Sequence, residues 1–133
     1  MMEKRMNKQE LLELLAGLKI DKEEFWLLSS SALVLRGLFE NAGDLDIAVT
    51  EKGFNELKKN YNLVLKENGF YKVTDKVECV LYNNKPCDLE KCDGYNLQNL
   101  NTYFDYLKSS ARPKDKIRYD IVKKELERRK QNN

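Results

Sequence analysis

At 133 residues, 41% hydrophobic and 35% charged, the chain is long enough to bury a core as one domain and too apolar for default disorder. Its apolar runs fall far short of the ~20 residues that cross a membrane, and acidic and polar residues follow Met1-Met2-Glu3-Lys4-Arg5, so a cytoplasmic protein without a membrane partner is expected. The net charge is only +2, and the absence of histidine excludes Ser-His and Cys-His nucleophilic schemes within the chain.

Taken in order, Asn7-Lys8-Gln9-Glu10 has the form of a capping box. Leu11, Leu14, Leu15 and Leu18 then recur at helical spacing, predicting an amphipathic helix within 1–20 that ends near Gly17–Lys19. Phe25-Trp26-Leu27-Leu28 is short enough for a buried strand. Ser29-Ser30-Ser31 follows at once and can cap a short helix over 32–38. After the turn Asn41-Ala42-Gly43, the run Asp44-Leu45-Asp46-Ile47-Ala48-Val49 alternates strictly. That pattern places Leu45, Ile47 and Val49 on one face of a strand and Asp44, Asp46 and Ala48 on the other.

Thr50 caps a third helix carrying Phe54, Leu57 and Tyr61. Val64 and Leu65 continue the helical spacing towards Asn68-Gly69, so this helix is expected to extend that far, with a strand over 63–65 as the alternative. Residues 70–73 and 77–82 read as strands. The Asn83-Asn84 turn then makes 86–91 a hairpin partner, with Asp88 and Glu90 on one face and Cys87 and Leu89 on the other. Cys79, Cys87 and Cys92 are odd in number and lack CxxC spacing, which favours buried, reduced thiols over a disulfide framework or a zinc site.

Leu97, Leu100, Phe104 and Leu107 predict a helix to about Lys108, and Pro113 suits the first turn of a last helix, over 112–130, with Ile117, Ile121 and Val122 inward. That last segment holds nine basic residues (Arg112, Lys114, Lys116, Arg118, Lys123, Lys124, Arg128, Arg129, Lys130) against four acids, a pattern read as the wet face of a terminal helix. Trp26, Tyr71, Tyr82 and Phe104 are expected to pack in the core or on the sheet. The fold class is α+β: one domain over 1–133, with a small mixed, partly antiparallel sheet flanked by helices.

The chemistry lies in the aspartates. Asp44 and Asp46, two residues apart on a strand, have Cα atoms only ~7 Å apart and side chains on one face. Like charges at that distance repel, and a divalent cation is the usual compensation.

Strand, serine turn, short helix, Asp-x-Asp strand and a later acid-bearing strand follow one another in an order that resembles the nucleotidyltransferase superfamily of the polymerase β type. The likeness is to its minimal bacterial and phage members, the AbiEii-like and MNT-type proteins. Ser30-Ser31 stands where the family has its small-residue pair, and Asp44-Leu45-Asp46 follows after twelve residues. The string Ser31-Ala32-Leu33-Val34-Leu35-Arg36-Gly37-Leu38 and the later Lys108 and Arg112-Pro113-Lys114-Asp115 are similar to further family elements.

The resemblance implies a nucleotidyltransferase-like fold in which Asp44, Asp46 and a third acid hold Mg²⁺ or Mn²⁺. Asp88 is the expected third acid, with Glu90 in reserve. Ser30, Ser31 and Lys114 would bind the phosphates of an NTP. The acceptor would be a hydroxyl of a protein, a tRNA or a small molecule, with a protein partner of toxin–antitoxin type. The chain departs from the pattern at three places. The serine turn has no glycine, Phe39-Glu40-Asn41-Ala42 stands where relatives carry an arginine and a threonine, and Arg118 replaces a second acid. A rival expectation follows: a catalytically degenerate member of the same fold that binds a partner, a nucleotide or RNA.

Overall fold

In the computed structural model, which describes residues 5–131, the first helix starts where its cap dictates. The Asn7 side chain accepts the Glu10 backbone N–H and the Glu10 carboxylate accepts that of Asn7. This reciprocal box opens α1 (Lys8–Gly17), which buries Leu11 and Leu15. A 3-10 turn over Lys22–Glu24 leads into β1 (Phe25–Leu27), buried at every position, and α2 (Ser29–Leu35) follows directly. β2 (Leu45–Val49) buries Leu45, Ile47 and Val49 completely, as its alternation requires. Thr50 caps α3 (Glu51–Asn60), its hydroxyl accepting the Gly53 N–H at 3.1 Å.

The remaining strands are β3 (Val64–Leu65), β4 (Tyr71–Thr74), β5 (Val77–Leu81), β6 (Glu90–Cys92) and β7 (Tyr95–Leu97). α4 (Leu100–Ser109) and α5 (Pro113–Gln131) close the described chain. All seven strands form one mixed sheet in the order β3-β4-β5-β2-β1-β7-β6. β2 is antiparallel to β1 and parallel to β5, and β1 is parallel to β7. The hairpins β3–β4, β4–β5 and β6–β7 supply the other antiparallel pairs. The fold is mixed α+β, and among the described residues no helix is long and apolar enough to cross a membrane.

Four local expectations are corrected. Helix α3 stops at Asn60, and Val64-Leu65 pairs with Tyr71-Lys72 as an exposed edge strand. The segment 86–91 is not the hairpin partner of β5, because β4 and β2 already occupy both edges of β5. Its end forms β6 instead, at the far side of the sheet. In α5 the inward positions are Asp115 and Val122, whereas Ile117 is exposed. Of the three cysteines, all free, only Cys79 is buried, Cys92 is half-buried and Cys87 is exposed.

The main core lies between one sheet face and α1, α2 and α3. Leu33 of α2 instead joins Leu100, Tyr103 and Leu107 of α4 and Val122 of α5 in a second cluster. Trp26, Leu28 and Ala48 form a third, with Phe70, Val80 and Leu89 packed against it.

Candidate functional site

The parallel register of β2 and β5 sets Asp46 opposite Glu78. Leu45 and Ile47 on one strand, and Val77 and Cys79 on the other, are fully buried. The period of two therefore sends both carboxylates to the opposite face, side by side. Asp44, one residue before β2, lies in the same cleft, which encloses about 610 Å³. The approach to Asp44 is fixed by reciprocal backbone hydrogen bonds between Met6 and Ala42, at 2.8 and 2.9 Å. Arg5 donates to Asn41 and also lines the cleft.

The same cleft is lined by Arg112, just before α5, and by Lys114 and Arg118 in its first turns. The start of α5 is anchored by Asp115, which is 1% exposed. Its carboxylate accepts from the Ser110 hydroxyl at 2.6 Å and pairs with Arg112 at 3.1 Å and Arg118 at 3.3 Å. Lys66, between β3 and β4, donates to Glu78 and is held above the usual ammonium range by that bond. The Asp46 carboxyl is pushed up to about 6, first by burial and then by the charges of Glu78 and Asp44.

The serine turn is built differently from a simple cap. Leu28 occupies the N-cap position of α2, and no side chain caps the helix. Ser29 lies at φ +54°, the left-handed conformation that glycine adopts freely. Ser29 and Ser30 line the cleft. Ser31 is fully buried, with its hydroxyl donating to the Leu28 carbonyl at 2.8 Å and accepting the Asp46 N–H at 3.4 Å. It joins α2 to β2 and does not face the cleft as a phosphate ligand.

Asp44, Asp46, Ser30 and Lys114 thus line one cleft, and Asp88 does not. Asp88 is exposed in the loop before β6, where its backbone carbonyl accepts from Asn99 at 3.0 Å. Glu90, the reserve, is clasped by Arg36 and Arg129 at the opposite end of the sheet. The acid that shares the wall with the aspartates is Glu78. A signal for it exists in the sequence: it is flanked by two apolar residues, Val77 and Cys79, in the same alternation that singled out Asp46. Lys66, Tyr103 and Tyr106 carry no comparable local signal.

All-oxygen carboxylate donors suit a hard divalent cation. Among the described residues, however, no three acidic, thiol or imidazole side chains converge closely enough to hold a metal ion unaided. Asp44, Asp46 and Glu78 share the cleft without forming such a group. Compared with protein-family models, curated proteins and solved structures, the chain matches none.

Proposed function

We propose that the cleft binds a nucleoside triphosphate with Mg²⁺ or Mn²⁺ and transfers its nucleoside monophosphate to a hydroxyl. The observation that carries this reading is the registration of Asp46 against Glu78, with Asp44 beside them, in a cleft also lined by the cations of α5. Asp44, Asp46 and Glu78, the last replacing Asp88, are the acids that would hold the cation, and only jointly with the nucleotide's own phosphate oxygens. A bound cation would offset their mutual repulsion and draw charge from the phosphate oxygens. Lys114, Arg112 and Arg118 would face the triphosphate, with the Ser30 hydroxyl at the turn.

In the transfer, the acceptor oxygen forms its bond to the α-phosphorus as the bond to pyrophosphate breaks. The hydroxyl proton is lost to a nearby carboxylate or to water, and the departing negative charge is opposed by the α5 cations. The same resemblance extends the proposal to acceptors on a protein, a tRNA or a small molecule, and to a toxin–antitoxin partner.

Thermal shift and calorimetry with each NTP, with and without Mg²⁺ or Mn²⁺, test this reading. Metal-dependent stabilisation is expected for the wild type and is lost in Asp46→Asn and Glu78→Gln. An absence of response to every NTP with either metal would sink it. A second reading, nucleotide binding without transfer, is favoured by Glu78 being engaged by Lys66 and by serine occupying the left-handed turn position. NTP binding without pyrophosphate release in the presence of hydroxyl acceptors would select it.

A further inference from the structure

α4 turns two tyrosines towards the cleft. Tyr103 and Tyr106 have ring planes 12° apart and centroids at 6.2 Å. Tyr103 is 3% exposed, while Tyr106 keeps 47% of its surface open. An exposed ring braced on a buried one is rigid and costs little entropy to use as a stacking surface. The second observation concerns the hydroxyl of Tyr103. Its Oη is buried beside the Arg118 guanidinium, which can only donate to it, and its own proton has no acceptor among the described residues. A buried hydroxyl left in that state is unfavourable, and a polar atom arriving from the cleft would satisfy it.

Burial pushes the Tyr103 phenol up to about 12, against the nearby Arg118 charge, so at neutral pH the hydroxyl keeps its proton and can donate. Gln98 and Thr102 line the same cleft and add hydrogen-bonding groups of the kind a heteroaromatic edge would use. The acids of β2 and β5 and the cations of α5 offer a nucleotide only its charged end. An open aromatic ring and an unsatisfied hydroxyl suit the rest of the molecule.

Resting on the nucleotide reading above, we propose that α4 is the nucleoside-recognition wall. The base stacks on Tyr106, and the Tyr103 hydroxyl donates to an oxygen of the same nucleotide's sugar–phosphate. The ligand is then a nucleotide recognised through its base and sugar, not a bare polyphosphate.

Calorimetric titration of the full chain with ATP, GTP, CTP and UTP, and with inorganic tripolyphosphate, all with Mg²⁺ or Mn²⁺, tests this. At least one NTP is expected to bind tenfold or more tightly than tripolyphosphate. Tyr106→Ala should weaken that NTP about tenfold and leave tripolyphosphate unchanged, while Tyr106→Phe, which keeps the ring, stays within about twofold of wild type. Tyr103→Phe, which preserves packing, should weaken the same NTP about fivefold.

Equal binding of NTP and tripolyphosphate overturns the recognition wall while leaving the nucleotidyl-transfer site standing. So does unchanged NTP affinity in Tyr106→Ala or Tyr103→Phe. Loss of the preference in Tyr82→Ala but not in Tyr106→Ala overturns it as well, by moving the stacking surface to the rim beside Trp26. Absence of binding by every NTP and by tripolyphosphate removes both.

Discussion

Ser29 holds a left-handed backbone at the bend between β1 and α2, a conformation that crowds any Cβ against the following carbonyl oxygen. For a residue with a Cβ that conformation costs ~1–2 kcal/mol, of which glycine's extra unfolded-state entropy returns roughly 0.5–1. Ser29→Gly is therefore expected to stabilise the fold by ~0.5–1 kcal/mol in urea denaturation, whereas Ser29→Ala should gain nothing. Asp46 poses the converse case, a charge held against its environment. Burial pushes its folded carboxyl up to about 6, against the ordinary 3.8 that applies to the unfolded chain. Between those values the folded state binds more protons, so stability falls as pH rises from about 4 to about 6 and stays lower above. In chelator-containing buffer, Asp46→Asn should thus be more stable than wild type at pH 7.5, by at most ~3 kcal/mol, and gain little at pH 4. Equal gains at both pH values would show that the carboxylate is not strained by its surroundings.

Elements whose boundaries rest on local chemistry were legible in the sequence. The Asn7–Glu10 box, the Thr50 cap and the Leu45-Ile47-Val49 alternation each specify their own neighbourhood, and α1, α3 and β2 begin where those residues place them. Elements that depend on distant partners were not legible. Val64 and Leu65 are 53% and 62% exposed, so their apolar character reports a thin edge strand, while their spacing mimics one more helical turn. Nothing near Asp88 encodes that β5 has both edges filled, so local alternation groups Asp88 with Asp44 and Asp46 whereas the sheet sets Glu78 beside Asp46. α5 misleads for a related reason: it buries a carboxylate, Asp115, and exposes Ile117. That inversion gives a prediction at this scale. Asp115 fixes Ser110, Arg112 and Arg118 together, and removing a buried ion-pair partner leaves charges and donors uncompensated. Asp115→Ala is expected to cost ~3–5 kcal/mol in chemical denaturation, with Asp115→Asn costing less because it retains the Ser110 acceptor.

At the scale of the molecule, the cleft exists because α4 and α5 are held against the sheet, and α2 does the holding. Ala32, Val34 and Leu35 face the main core while Leu33 enters the α4–α5 cluster, so one short helix is shared by both. A second clasp lies at the other end of α5. Glu90 of β6 pairs with Arg129 and with Arg36, just past α2, and Arg36 also donates to the Gln98 carbonyl at 2.6 Å. Burial opposes the Glu90 charge, but the hydrogen bonds from Arg129 and Arg36 outweigh it and hold the carboxyl below its usual range. With both ties in place, sheet and helices should unfold together. Trp26, the sole tryptophan, sits in the third cluster, away from Leu33, and reports on the sheet, whereas far-UV circular dichroism is weighted towards the helices. In urea the two signals are expected to coincide for the wild type. Leu33→Ala should lower stability by ~2–5 kcal/mol on both signals alike, because the cavity weakens a helix common to both clusters. If the helical signal of Leu33→Ala is lost ahead of Trp26 fluorescence, α4 and α5 form a separable unit. The cleft between them and the sheet would then open without global unfolding.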